Sequence, residues 1–370
     1  MVSLSVIIPV YNAQNYIKNT VDIINASSQK PLEIILVNDG SVDESHNICE
    51  KLAGQYDNVI LTDKENGGIA DARNTGLKAA KGEYVCFVDQ DDVVDEKMYE
   101  TAFSKIKASS VPVDLVMVST GQIIDDVKIP FEQFEDREYF EDNSRDILFK
   151  AFMFRGYASP DRNTDLSVSA SVWKCIIRRE LLTSNNICFK RFISYDDDYV
   201  FMCSVLAHIK NAVTLSHTGY YWVINGNSES HRSNYIEGYG EKTILLANHV
   251  KSVMKECCFE DKLCKMAYNQ LLFEKTIDLI DNEYFSKNRE NTSGKKVLVK
   301  DYLNKTEFFK IDKDEIKPLP SFRRIRVLYR LYRLKSPGLL IAGIRLFRKA
   351  ERRLHSNAKM MEKVSLKNPK

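Results

Sequence analysis

Three carboxylates occupy four consecutive positions at Asp89-Gln90-Asp91-Asp92, directly after the apolar run Tyr84–Val88. Acidic groups crowded at a strand end repel one another and resist desolvation unless a cation neutralises them. Their hard oxygen ligands suit Mg²⁺ or Mn²⁺ bridging a diphosphate; the plainer reading is a solvated turn in which Asp92 caps a helix from about Asp95. A second acidic run, Asp196-Asp197-Asp198, leads into the apolar-periodic stretch Tyr199-Val200-Phe201. Capping needs one Asp, so a further carboxylate there is available as a general base toward an attacking hydroxyl. Asp39 ends another apolar run before Gly40 and Ser41. It can accept from an imide N–H or a ribose hydroxyl, or make an Asx turn. Tyr11 can stack on a base or pack at a sheet edge, and Arg73 can bridge phosphate oxygens or stand solvated on a helix. His217 and His231 lie near Tyr220-Tyr221-Trp222. The histidines can touch phosphate or metal or be structural, and the aromatic trio can be core or a sugar-stacking platform.

Such groups cooperate only if secondary structure delivers them to one edge. Leu4–Val10, Leu32–Val37, Asn58–Leu61 and Tyr84–Val88 are apolar, β-branched runs, and helical spacing fills Ala13–Ser28, Glu44–Gln55 and Ile69–Ala80 between them. Strand, helix, strand, helix predicts parallel pairing through right-handed crossovers, hence a Rossmann-like, mostly parallel α/β sheet flanked by helices. Ligands bind such sheets at the carboxyl ends of the strands, where Tyr11, Asp39 and Asp89 fall. A fifth strand is expected at Asp114–Val118, and loops with one or two helices between Thr120 and Ser167. Beyond these come helices at Arg178–Ser184 and Asp198–Ala207, two strands at Ala212–Ser216 and Tyr220–Ile224, and helices from Tyr239 onward.

The net charge of +2 over 370 residues conceals a division. From Lys317 onward there are 16 Lys+Arg and 2 Asp+Glu, which leaves 37 basic and 49 acidic residues before it. The longest uncharged apolar stretch near the C-terminus, Pro337–Ile344, is far below the roughly 20 residues a membrane-spanning helix needs. The opening residues lack a basic n-region and a cleavage site, so a cytoplasmic protein is expected. The eight cysteines form no C-x-x-C pair and read as reduced, buried or incidental thiols.

Taken together, "SVIIPVYNAQNYI", "ILVNDGSVDES", "ENGGIADARNTGLKAAKGEYVCFVDQDD", "YDDDYVF" and "TGYYWV" resemble, in order and spacing, the family 2 glycosyltransferases of the GT-A fold over about residues 2–225. The resemblance implies transfer of a sugar from a nucleotide-diphosphate donor, a UDP-sugar above all, to an acceptor hydroxyl with inversion. It implies that Pro9, Val10 and Tyr11 line the base pocket, that Asp39 reads the base and that Arg73 supports the diphosphate. Asp89 and Asp91 match the family's D-x-D, with Asp91 as the direct ligand of Mn²⁺ or Mg²⁺. Aligning the later motif on Phe201 puts Asp198 at the base. This chain has Asp197 where the family has Glu, with Asp196 adjacent, so a shift of one position leaves Asp197 as the alternate base.

Four regions are expected: a nucleotide-sugar-binding half (1–120), an acceptor-binding half (121–235), a helical region (236–316) and a basic amphipathic tail (317–370). In the tail, cations interleave with Ile325, Leu328, Tyr332 and Val327, Leu331, Leu334 at helical spacing. Such helices lie on anionic membranes, so a protein at the inner face of the cell membrane is expected, and the resemblance implies a glycan or lipid-linked glycan acceptor of surface polysaccharide synthesis. The tail's alternative is docking on the acidic domain, and no nucleic-acid module is present. The competing function is a non-catalytic nucleotide-sugar-binding or scaffolding subunit at the membrane. A nucleotidyltransferase is a weaker rival, because its glycine-rich, Lys-containing phosphate loop does not follow the first strand.

Overall fold

The computed structural model describes residues 2–154, 166–193, 196–224, 235–285 and 295–305, together with 327, 330, 331, 334 and 336–347. The first apolar run forms β1 (Leu4–Val10), every residue of it buried. It is followed by α1 (Ile17–Asn25), β2 (Glu33–Asp39), α2 (Ser45–Gln55), β3 (Val59–Lys64), α3 (Ile69–Ala79) and β4 (Tyr84–Phe87). The spatial order is β3-β2-β1-β4, all parallel, with Ile7 paired to Ile35 on one side and Phe87 on the other. Helix and sheet meet closely here: a Cβ on Gly76 of α3 would lie 2.3 Å from the Ile7 Cγ2.

Past β4 the sheet changes character. It continues through β5 (Val93–Val94), α4 (Met98–Ala108), β6 (Leu115–Ile124), β7 (Val127–Pro130), β8 (Arg137–Tyr139) and α5 (Asp142–Met153). After a 3-10 turn at Val172–Lys174 come β9 (Cys175–Arg178), α6 (Arg179–Ser184), α7 (Asp197–His208) and β10 (Ala212–Val223). The order extends as β4-β9-β6-β10-β5, with β7 on β6 and β8 on β10. Strand β9 runs antiparallel to both β4 and β6, so the parallel character expected from the sequence holds for β3-β2-β1-β4 and for β6 with β10.

Two expectations need correcting. Ala212–Ser216 and Tyr220–Ile224 are not two strands: β10 is one strand with register shifts between Leu215 and Tyr220. The polar Ser216-His217-Thr218-Gly219, which reads as a turn, is absorbed as a bulge, and Asp136 binds the Ser216 amide at 2.7 Å. The segment after Thr120 contains strands as well as a helix. Asp125 and Asp126, at φ 49° and 63°, turn β6 back into β7 without a glycine, so the usual hairpin signal is missing.

The chain divides into two compact units, Met1–Arg155 with Asp165–Arg232, and Gly156–Thr164 with Ser233–Lys370. In the first, the core includes Val6, Ile8, Ile34, Leu36, Cys86, Val116, Ile176 and Leu215. The second contains α8 (Tyr239–Glu256), α9 (Asp261–Phe285) and α10 (Lys295–Lys305), burying Leu246, Val250, Leu272, Ile280 and Val299. Asn282 clamps the Ile236 backbone, accepting from its N–H at 2.7 Å and donating to its carbonyl at 2.9 Å. Residues 337–347 are helical and bury Leu340, Ile341 and Ile344. Most of the basic tail expected after Lys317 lies outside the described residues. No helix among the described residues is long and apolar enough to cross a membrane. Cys49, Cys86, Cys175, Cys203 and Cys264 are buried free thiols, and burial pushes those of Cys49 and Cys175 up to about 12.

Candidate active site

The carboxyl ends of β1, β2 and β4 lie side by side, so their terminal residues meet. Gln90 joins two of them, its amide accepting from the Tyr11 N–H at 2.8 Å and donating to the Tyr11 carbonyl at 3.1 Å. The Tyr11 ring is 44% exposed and available to stack, whereas the Pro9 and Val10 side chains are buried and can line a pocket only through backbone. Asp39 is buried and heavily engaged: it accepts from the amides of Gly67 (2.9 Å) and Gly68 (2.7 Å) and from Lys64 Nζ (2.5 Å). Its carboxylate thus anchors the loop that opens α3. Gly68 takes φ +85° there, a conformation that side chains disfavour.

Arg73, one turn into α3, is only 2% exposed. Its guanidinium donates to Asp89 Oδ1 at 2.9 Å, Asp198 Oδ1 at 2.5 Å and Asp197 Oδ2 at 3.4 Å, while its Nε is buried without a partner among the described residues. One cation therefore gathers acids from the end of β4 and the head of α7. Against three carboxylates it leaves an excess of negative charge when all are ionised. Burial pushes the Asp198 carboxyl up to about 6, with Arg73 opposing and Asp197 and Asp89 reinforcing the shift. Burial also raises Asp197, and Arg73 and Arg191 pull it back. The Asp198 side chain is 24% exposed and that of Asp197 7%, so Asp198 is the more accessible. Asp196 holds the N-cap position of α7 without its side chain making a capping bond.

Aromatic packing fixes this arrangement. Phe201 stacks on Phe189 at 4.0 Å between ring centroids, Phe87 meets both edge-on, and Arg73 lies 5.2 Å from the centre of the Phe189 ring. Asn74 closes a reciprocal clamp on the Phe189 backbone, donating to its carbonyl at 2.9 Å and accepting from its N–H at 2.8 Å. Nearby, buried Lys174 binds Glu132 and Ser169 and so anchors the turn whose Val172 amide donates to Asp198 Oδ2 at 3.4 Å. On the other side, the Tyr220 hydroxyl donates to Asp92 Oδ2 (2.8 Å) and accepts from the Asp89 N–H (3.1 Å).

The sequence profile of Glycosyl transferase family 2 matches residues 5–160, the stretch that carries Asp39, Arg73, Asp89 and Asp91. That N-terminal stretch is similar to glycosyl transferase family 2. It is 28% identical to EpsJ of Bacillus subtilis (strain 168), an uncharacterized glycosyltransferase, over 61% of this chain and 62% of EpsJ. It is 38% identical to GgaB of the same organism, a minor teichoic acid biosynthesis protein, over 31% of this chain and 13% of GgaB. The chain thus spans less than two thirds of either relative's length. Its fold is similar to that of S. aureus TarS 1-349 in complex with UDP-GlcNAc, at a TM-score of 0.65 and 21% identity, covering 94% of this chain and 92% of that one.

The residues singled out in the sequence divide into two groups. Arg73, Asp89, Asp197 and Asp198 meet directly, whereas Asp39 and Tyr11 belong to the neighbouring strand ends. Asp92 is not a helix cap: it is buried, ties down Tyr220 and Val223, and burial together with the Asp89 charge holds its carboxyl well above the usual range. Tyr220 is core, stacked on Trp173 at 4.4 Å, while His217 pairs with Asp95 at 2.9 Å. Tyr195 and His231 lie outside the described residues. Sequence reasoning overlooked Asn74, Phe189 and Lys174; the adjacency of Asn74 to Arg73 was the available signal. Among the described residues no three His, Cys, Asp or Glu side chains gather as a metal-holding group. Two carboxylates, Asp89 and Asp91, suit Mg²⁺ or Mn²⁺ when a substrate's phosphate oxygens complete the shell.

Proposed function

We propose that the chain is a glycosyltransferase that moves a sugar from a nucleoside-diphosphate donor, a UDP-sugar, to a glycan hydroxyl with inversion. The observation that carries this reading is the gathering of Asp89, Asp197 and Asp198 on buried Arg73, which sets a donor-side acid next to an accessible base. The UDP-GlcNAc complex of TarS supports the donor class, the name of EpsJ a glycosyltransferase, and that of GgaB a role in polymer biosynthesis of the teichoic acid kind.

The reaction is a single in-line displacement. Asp198 takes the proton of the acceptor hydroxyl, its oxygen bonds the anomeric carbon, and the bond to the diphosphate breaks with its electron pair leaving on UDP. A carboxyl with a pKa of about 6 is ionised at neutral pH yet more basic than an ordinary Asp. Asp197 is the alternate base and is less exposed. Arg73, whose two terminal nitrogens are engaged by carboxylates, acts by positioning them in place of the diphosphate contact that the resemblance implies. Asp39 has three donors already, and a carboxylate has about four acceptor sites, so room remains for an imide N–H of the base. Tyr11 stacks on that base, with the Pro9 and Val10 backbone beside it. Asp91, with Asp89, would hold Mn²⁺ or Mg²⁺, which supplies positive charge against the departing diphosphate. The acceptor is a glycan on a lipid carrier, reached through the basic tail.

Purified protein given UDP-sugars and Mn²⁺ without acceptor should release UDP slowly, and Asp91→Ala should abolish the metal-dependent part. Absence of donor binding and of UDP release across a panel of nucleotide sugars would refute the reading in favour of a scaffolding subunit.

A further inference from the structure

A diphosphate gains binding energy from a protein cation beside a metal, and the terminal nitrogens of Lys64 at the end of β3 and Arg73 in α3 are already held by carboxylates. Arg73 is held by Asp89, Asp197 and Asp198, and Lys64 by Asp39 and Asp71. Arg191 is different. It is exposed, and no hydrogen bond or ion pair ties its guanidinium to another described residue. That guanidinium lies over Gly68 at the start of α3, so close that a Cβ there would be 2.5 Å from Nη1. Gly68 is bonded to Asp39, and the charge of Arg191 is felt by Asp197. The group therefore stands between the strand end assigned to the base and the acids assigned to catalysis. Nor is its approach left to a loose segment: Phe189, two residues earlier, is fastened to α3 by the two hydrogen bonds of the Asn74 side-chain amide and stacked on Phe201 of α7.

Resting on the donor class proposed above, we propose that Arg191 is the diphosphate-binding cation of this site, contacting the donor's phosphate oxygens across Gly68. A planar guanidinium offers two parallel N–H donors to phosphate, and one that makes no bond to another described residue loses none of these on binding. A side chain at position 68 would push the guanidinium aside, while the φ of +85° there independently favours glycine.

Isothermal titration calorimetry of the full chain in Mn²⁺ buffer with UDP, paired with ligand-observed NMR for uridine, tests this on wild type, Arg191→Ala and Arg191→Lys. The expected result is UDP binding about tenfold weaker in the Ala variant, partial recovery in the Lys variant, and unchanged uridine binding. UDP binding by Arg191→Ala equal to wild type overturns the proposal. So does an equal loss for uridine and UDP, which would put Arg191 at the nucleoside or in the fold. Failure of the donor reading shows separately, as wild type that binds no nucleoside diphosphate at all.

Discussion

Asp198 carries the sharpest consequences at the scale of single residues. Its carboxyl titrates near 6, above the ordinary 3.8, because burial penalises the charge more than Arg73 relieves it. Transfer should therefore rise through about pH 6 as the base ionises, and a kcat profile flat between pH 5 and 7 would contradict the assignment. The sign for stability is opposite: a raised carboxyl contributes stability that is full below the unfolded pKa and lost as pH rises through about 6. Asp198→Asn should accordingly melt no lower than wild type at pH 8 while losing about 10²-fold or more in kcat. Retained turnover would shift the base to Asp197. Arg73→Ala should be far more damaging to the fold, since it strands three carboxylates around a buried void. A loss of about 3–5 kcal/mol in urea unfolding is expected for a broken buried ion-pair cluster.

At the scale of elements, the site depends on strands and helices being pinned at their ends. Tyr220, on β10, holds the β4 loop through its hydroxyl, which links the Asp92 carboxyl to the Asp89 amide. Tyr220→Phe should keep the Trp173 stack and the sheet but free that loop, costing about 1–3 kcal/mol and weakening Mn²⁺-dependent UDP binding. Calorimetry with and without Mn²⁺ separates the two effects; a stability loss with unaltered metal dependence would make the hydroxyl purely structural. The parallel half of the sheet was legible from β-branched runs and helical spacing, since both faces of β1 and β2 are covered. Strands β5, β7 and β8 were not, because two to four residues carry too little periodicity and the β6–β7 turn uses Asp-Asp without glycine.

For the whole molecule, charge separation remains the main lever. A basic stretch after Lys317 and an acidic remainder predict ionic-strength-dependent binding to anionic vesicles that a truncation after Ile316 loses. Equal co-sedimentation of both forms would defeat it. Within that stretch, Leu340, Ile341 and Ile344 are buried, so this part of the apolar face is packed inside the chain, while Leu339 and Leu346 stay exposed.

By itself the sequence determined which acids end the buried strands, because apolar runs and their polar termini are local patterns. It singled out Asp39, Asp89, Asp91, Asp197 and Asp198, and the family that residues 5–160 match. Only tertiary structure decided what each one touches. Arg73 is separated by 125 positions from Asp198, and no spacing rule reveals that a buried guanidinium takes three carboxylates while Arg191 makes no bond to another described residue. Such pairings arise from the packing of α7 against β4 and α3 through Phe87, Phe189 and Phe201, contacts between elements far apart in the chain.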